Sequence, residues 1–172
     1  MIIETPLLII GNGPAALVAA KVLSGSGLTS LVAGHEPRDD VEPVELDDES
    51  LAILEPHGVL GVLRPYASTQ EPFTIAPLFF EQGLKHHCIA DMLVTVYDDM
   101  VFTPTSTSTD HDRGGRFGRL DGAGSSWEIK AGAFLDVSTY PVDLNQSIHQ
   151  AAAFSRALLA TFDGKRPAWD GS

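Results

Sequence analysis

Gly11-Asn12-Gly13-Pro14-Ala15-Ala16 is the run in this chain whose residue types and spacing suit holding a ligand through main chain alone. Gly11 permits a tight turn, and Gly13 lets backbone approach a pyrophosphate with no side chain in the way. Ala16 is small like the third glycine of a dinucleotide fingerprint, so helix and strand can pack closely. A helix beginning here offers free N–H groups and the positive end of its dipole to phosphate. Pro14 has no N–H, which suits the first helical turn, where that donor has no intrahelical partner.

Such a turn needs a strand before it and a helix after it. Leu7–Ile10 is a continuously apolar run, as expected of a strand buried on both faces of a parallel sheet. Pro6 ends an unstructured start before it. Ala15–Leu23 reads as a helix with Gly25 and Gly27 just beyond its end, and Thr29–Ala33 as a second apolar strand. The three make a right-handed βαβ unit. The same frame emptied of its ligand would serve packing alone, because a fold does not guarantee a function.

The fingerprint closes with an acid at the end of the second strand, about 20 residues on, which grips ribose hydroxyls. Gly34 holds that place here, and the first carboxylate is Glu36, two residues further. Glu36 is the ribose candidate if a short insertion brings it into position.

Further along, Glu36–Glu49 is crowded with carboxylates and prolines and reads as a solvated acidic loop, with Asp47 or Asp48 capping a helix near Ser50. Leu51–Leu63 reads as one or two short helices broken at Pro56–Gly58, and Pro77–Gly83 as a further helical turn. From Met92 the period changes to two. Asp98-Asp99 gives a turn, and Met100–Thr103 returns as a second strand. Thr103–Asp112 reads as a mobile Ser/Thr-rich loop. Gly114–Leu120 and Trp127–Lys130 read as strands around a turn at Gly122–Gly124. After the apolar run Ala133–Val137, Asp143 and Gln146 form a capping-box pattern. The helix it opens puts Leu144, Ile148, Ala152, Ser155, Leu159 and Phe162 on one face.

The expected fold class is α/β: a Rossmann-like, mainly parallel sheet with flanking helices and a small antiparallel β-meander. Residues 1–163 form one FAD/NAD(P)-binding type of domain, and 164–172 a flexible tail. The chain has 172 residues, with 44% apolar and 20% charged, the profile of a globular protein with a real core. A formal charge of -12 and a pI near 4.7 argue against nucleic acid as partner. The apolar start meets its first positive charge only at Lys21 and is broken by Gly11, Gly13 and Pro14, so neither a secretory signal nor a membrane span is expected. One cysteine, Cys88, excludes an internal disulfide and the paired thiols of disulfide reductases, and fits a cytoplasmic setting.

His86-His87-Cys88 with Asp91 has metal-ligand residue types, but adjacent histidines on a strand point to opposite faces, so no metal site is expected. No Gly-x-Ser-x-Gly elbow supports a hydrolase. Tyr66, Tyr97 and Trp127 could stack on an aromatic cofactor or simply fill the core.

Pro6–Glu36 resembles the N-terminal segment of the FAD-dependent pyridine nucleotide reductase superfamily, which includes the thioredoxin-reductase-like flavoproteins. The Gly-x-Gly-Pro-Ala form is typical of flavin binders. Phe134-Leu135-Asp136 is similar to that superfamily's Gly-Asp pair, with Leu135 in place of the glycine, and Leu144–Phe162 is similar to its closing helix. The resemblance implies FAD, with its pyrophosphate on Gly11, Asn12, Gly13, Pro14, Ala15 and Ala16, ribose near Glu36, and the ribityl chain near Asp136. No second glycine fingerprint for NAD(P)H follows, so the resemblance implies a flavin-only unit of an oxidoreductase exchanging electrons with a partner subunit, or forming a homodimer. It supplies no catalytic acid, base or nucleophile. Two alternatives stay open: NAD(P) held by the same loop, and a non-enzymatic Rossmann-like subunit acting through protein contacts.

Overall fold

The computed structural model describes residues 2–11, 13–34, 40–105, 116–137 and 143–162. Strand β1 (Ile2–Ile10) runs through the glycine turn into helix α1 (Pro14–Gly25), which returns to β2 (Ser30–Gly34). There follow β3 (Val44–Glu45), α2 (Asp48–Leu54), a 3-10 turn at Glu55–His57, α3 (Val59–Leu63), a second 3-10 turn at Arg64–Tyr66, β4 (Thr69–Gln70) and β5 (Phe73–Ile75). Helix α4 (Pro77–Ile89) precedes β6 (Val94–Asp98), β7 (Val101–Pro104), β8 (Arg116–Gly122), β9 (Ser125–Asp136) and α5 (Leu144–Thr161).

The main sheet has six strands in the order β6-β2-β1-β9-β8-β7, parallel from β6 to β9 and antiparallel from β9 to β7. A second sheet, β3-β5-β4, is small and antiparallel. This is the expected α/β class, with helices and a β-meander around a mainly parallel sheet.

Strand alternation splits the apolar residues between two cores. Leu7, Ile9, Val32, Val94 and Leu135 face α1, α4 and α5, whose Ala16, Leu23, Phe80, Leu84 and Ile148 are buried against them. Leu8, Leu31 and Ala33 face the other way and pack under Met100, Leu120, Ile129 and Ala131 of the meander. The meander thus forms a third layer. Within it Gly118 makes room for the Phe102 ring, whose carbons would overlap any Cβ placed there. Phe102 in turn stacks edge-on against Phe134, with centroids 5.1 Å apart.

Several expectations are met. Helix α2 is capped by Asp47, whose carboxylate accepts from Ser50 N at 2.7 Å. Asp143 caps α5 through Gln146 N at 2.8 Å, and the face from Leu144 to Ser155 is buried as expected. Others are corrected. The segment before Leu7 is strand, with Pro6 inside it. Pro6 falls where the β1–β9 ladder passes from Thr5–Ala131 to Leu7–Ala133, and the β1–β2 ladder begins only at Leu7, so the missing N–H removes no ladder bond.

Strands β6 and β7 do not pair across the Asp98-Asp99 turn. They lie at opposite edges of the sheet, β6 against β2 and β7 against β8. Trp127–Lys130 and Ala133–Val137, expected as separate runs, join in one 12-residue strand, β9, which ends at Asp136, one residue short of Val137. The stretch 77–83 is the start of a full helix, α4, and the acidic loop contains the short strand β3. The expected mobile loop, beyond Thr105, and the expected tail lie outside the described residues.

Candidate dinucleotide site

The site forms where β1, β2 and β9 end together. Ile10 stands opposite Ala33 on one side and Asp136 on the other. The next residue, Gly11, donates its N–H to Ala33 O at 2.9 Å, while Val137 N donates to Ile10 O at 2.9 Å. Gly11 then turns the chain with φ at +143°, a region L side chains rarely adopt. A Cβ there would stand 3.0 Å from Val137 Cγ2 and 3.5 Å from Ala16 Cβ. Both the turn and the tight fit therefore depend on glycine, and Ala16 has to be small for the same reason.

Gly13 is the N-cap of α1, extended at φ -104°, ψ -176°, and its carbonyl accepts the first helical bond from Leu17 N at 3.4 Å. No side chain of the described residues caps this end, and its first turn carries no acid. Asp47 and Asp143, by contrast, close the starts of α2 and α5. The α1 start is thus a positive dipole end that the described residues leave without a carboxylate or hydroxyl cap, at a half-buried glycine. These donors fit an anionic diphosphate, and Pro14 at the first helical position takes no donor away from the helix interior.

The structure brings Gly11, Gly13, Pro14, Ala15, Ala16 and Asp136 to one edge of the sheet. Pro14, Ala15 and Ala16 are buried, and Asp136 is exposed at the very end of β9. Asn12 and Glu36 lie outside the described residues. Sequence reasoning missed Val137, which backs Gly11 from just beyond the end of β9. Its only signal was membership of an apolar run one residue beyond Asp136.

The weaker constellations resolve into structure. His86, His87 and Cys88 lie on helix α4, not on a strand. Cys88 is fully buried, its thiol facing Leu17 O at 3.8 Å, and burial pushes its pKa up to about 12. Among the described residues no group of three His, Cys, Asp or Glu side chains could hold a metal ion. Tyr97 and Trp127 stack edge-on with centroids 5.2 Å apart on the meander side, and Tyr66 packs against the helical core, so all three act in packing. No helix of the described residues is long and apolar enough to cross a membrane.

Asp47, Ser50 and His149 also come together, but not as a hydrolytic triad. Asp47 Oδ1 and Ser50 Oγ approach the same ring nitrogen, His149 Nε2, at 3.0 and 3.2 Å. Ser50 is buried and close to Asn145 Oδ1, at 2.8 Å. A triad needs the acid and the nucleophile on opposite ring nitrogens. This group ties α2 to α5. Burial alone would raise the Asp47 pKa, but the bonds from Ser50 and His149 outweigh it and hold the carboxyl below its usual value.

No protein-family model matches the sequence, and no curated protein matches it. Solved structures match by fold. A p-nitrophenol 4-monooxygenase from Pseudomonas putida DLL-E4 matches 78% of this chain at TM-score 0.59 and 16% identity. A flavoprotein/dehydrogenase from Cytophaga hutchinsonii matches 79% at 0.60 and 16% identity. The flavin-dependent monooxygenase PieE, solved in complex with FAD and substrate, matches 79% at 0.61 and 15% identity. The fold is therefore one that these three proteins share. This chain spans 40%, 39% and 30% of their respective lengths.

Proposed function

We propose that this chain is the FAD-binding unit of a flavin-dependent oxidoreductase, working with a partner protein that completes the substrate site and the electron route. One observation carries the reading: a glycine turn, forced to φ +143° and backed by Val137, feeds a helix start that no side chain of the described residues caps. The fold shared with monooxygenases supports FAD over NAD(P) as the dinucleotide. The likeness to pyridine nucleotide reductases rests on Gly11–Ala16 and Phe134–Asp136. Both segments also fit the broader flavoprotein frame.

In this reading the N–H groups at the start of α1 bind the diphosphate, and Gly11 and Gly13 keep side chains out of its path. Asp136, at the end of β9, accepts hydrogen bonds from the ribityl hydroxyls. The bound flavin supplies the redox chemistry; the protein supplies orientation and electrostatics. A partner is part of the proposal because the sequence holds no second glycine fingerprint for NAD(P)H, and no described residue offers an activated nucleophile.

Visible absorption of the purified protein, followed by equilibrium titration with FAD and with NADPH, tests the reading. Flavin bands, or saturable FAD binding that Gly13→Val abolishes without unfolding the chain, are expected. A colourless protein that ignores FAD, or a Gly13→Val variant that binds as well as the parent, overturns it.

A further inference from the structure

The four parallel strands end in a single row. Gly34 of β2 stands opposite Asp98 of β6, and Ile10 stands opposite both Ala33 and Asp136. One step on, Gly11 falls between Gly34 and Val137. Alternation fixes which way the row faces. Ile9, Val32, Val96 and Leu135 all pack into the core shared with α1. Gly34, Asp98 and Val137 lie two residues beyond three of them and share that side, as does Gly11 beyond Ile9. Asp98 confirms it by meeting Lys85 Nζ of helix α4 at 2.9 Å. Read across the row at the start of α1, the side chains are a carboxylate, nothing, nothing and an isopropyl group.

We infer that Asp98 is the specificity-determining carboxylate of the cofactor site, taking the adenosine ribose hydroxyls from the neighbouring strand because Gly34 has no side chain to do so. This rests on the proposed FAD reading and deepens it. A diphosphate at Gly11 and the α1 start leaves the adjoining ribose over Gly34, one strand spacing away, roughly 5 Å. With no Cβ at Gly34, the sugar can settle there and meet Asp98, one further spacing along the row. The Asp98 carboxylate suits the task. Its side chain is about half exposed, at 48%, and Lys85 holds Oδ1 while Oδ2 accepts no hydrogen bond from any described residue. A carboxylate is acceptor-only, and paired sugar hydroxyls are donors.

The test is a cycle on protein and ligand together. The full chain, Asp98→Asn and Glu36→Gln are titrated with FAD and with its 2′-deoxyadenosine analogue, reading flavin fluorescence, and thermal melts check folding. The half-exposed Lys85 pair contributes little to stability, so Asp98→Asn remains folded. The parent binds the deoxy analogue about tenfold more weakly, as expected for one lost hydrogen bond to a charged group. Asp98→Asn loses about as much on FAD and no longer distinguishes the two ligands, while Glu36→Gln behaves as the parent. An Asp98→Asn protein that binds FAD like the parent, or still discriminates tenfold, overturns the assignment. So does loss of discrimination in Glu36→Gln alone. A parent chain that binds no FAD at all overturns the cofactor reading instead.

Discussion

Lys21 Nζ and Asp91 Oδ2 meet at 2.6 Å, joining helix α1 to the turn that follows α4. Ser24 Oγ reaches the same oxygen at 2.9 Å, and Leu93 N donates to the other at 2.9 Å. Burial alone would raise the Asp91 pKa, but these bonds outweigh it and lower it from 3.8 to about 2. The ionised form is therefore favoured in the native state. The stabilisation, about 2 kcal/mol, is fully present above the unfolded-state pKa and disappears as pH falls from about 4 through about 2. Urea midpoints measured between pH 5 and pH 2 should fall more steeply for the parent than for Asp91→Asn. Parallel curves would remove Asp91 from the acid transition.

Cys88 should be inert in the native protein. Its thiol is fully buried, and burial, with Asp91 adding to it, pushes the pKa up to about 12. Thiolate, the reactive form, is therefore scarce at pH 8. A chromogenic disulfide reagent should report no reactive thiol in the native chain and one after unfolding in urea. Rapid native labelling would contradict the packing of α4 on α1.

Gly11→Ala should destabilise the chain by about 2 kcal/mol, combining a strained positive φ with displacement of Val137. Chemical denaturation measures this directly. A stability equal to that of the parent would mean that the turn does not need glycine.

Asn145 stitches the start of α5 to the β3–α2 segment. Its Nδ2 donates to Glu45 O at 2.9 Å, and its Oδ1 accepts from Asp47 N at 3.0 Å and lies 2.8 Å from Ser50 Oγ. Asn145→Ala leaves the buried Ser50 hydroxyl with one partner fewer and should cost about 1–3 kcal/mol. Asn145→Ala with unchanged stability, in the same denaturation assay, would show that α2 docks without this bond set.

The βαβ start was legible because three independent signals coincide there: two short apolar runs, the glycine turn and a small-residue helix. The start of α5 was legible from Asp143 and Gln146 alone, since capping is a local event. What stayed hidden depended on distant partners. Val94–Asp98 and Val101–Pro104 alternate like a hairpin, and nothing local says that β6 will instead join β2. The extent of α4 was masked because Lys85, His86 and His87 dilute the apolar spacing of Phe80, Leu84 and Cys88. Strands as short as β3 and β4 contain too few residues to show a period. The candidate site divided in the same way. Gly11–Ala16 could be read locally, whereas Val137 and Asp98 join it only through the β1–β9 and β2–β6 ladders.

The long ladder between β1 and β9 has one more implication. Residues near position 11 and residues near position 137 become neighbours only when that pairing closes, so the cradle is absent from any half-assembled chain. A cofactor seated there acts as a staple between remote stretches of sequence. Its retention would raise the unfolding temperature in proportion to the logarithm of ligand concentration and would itself report that folding is complete.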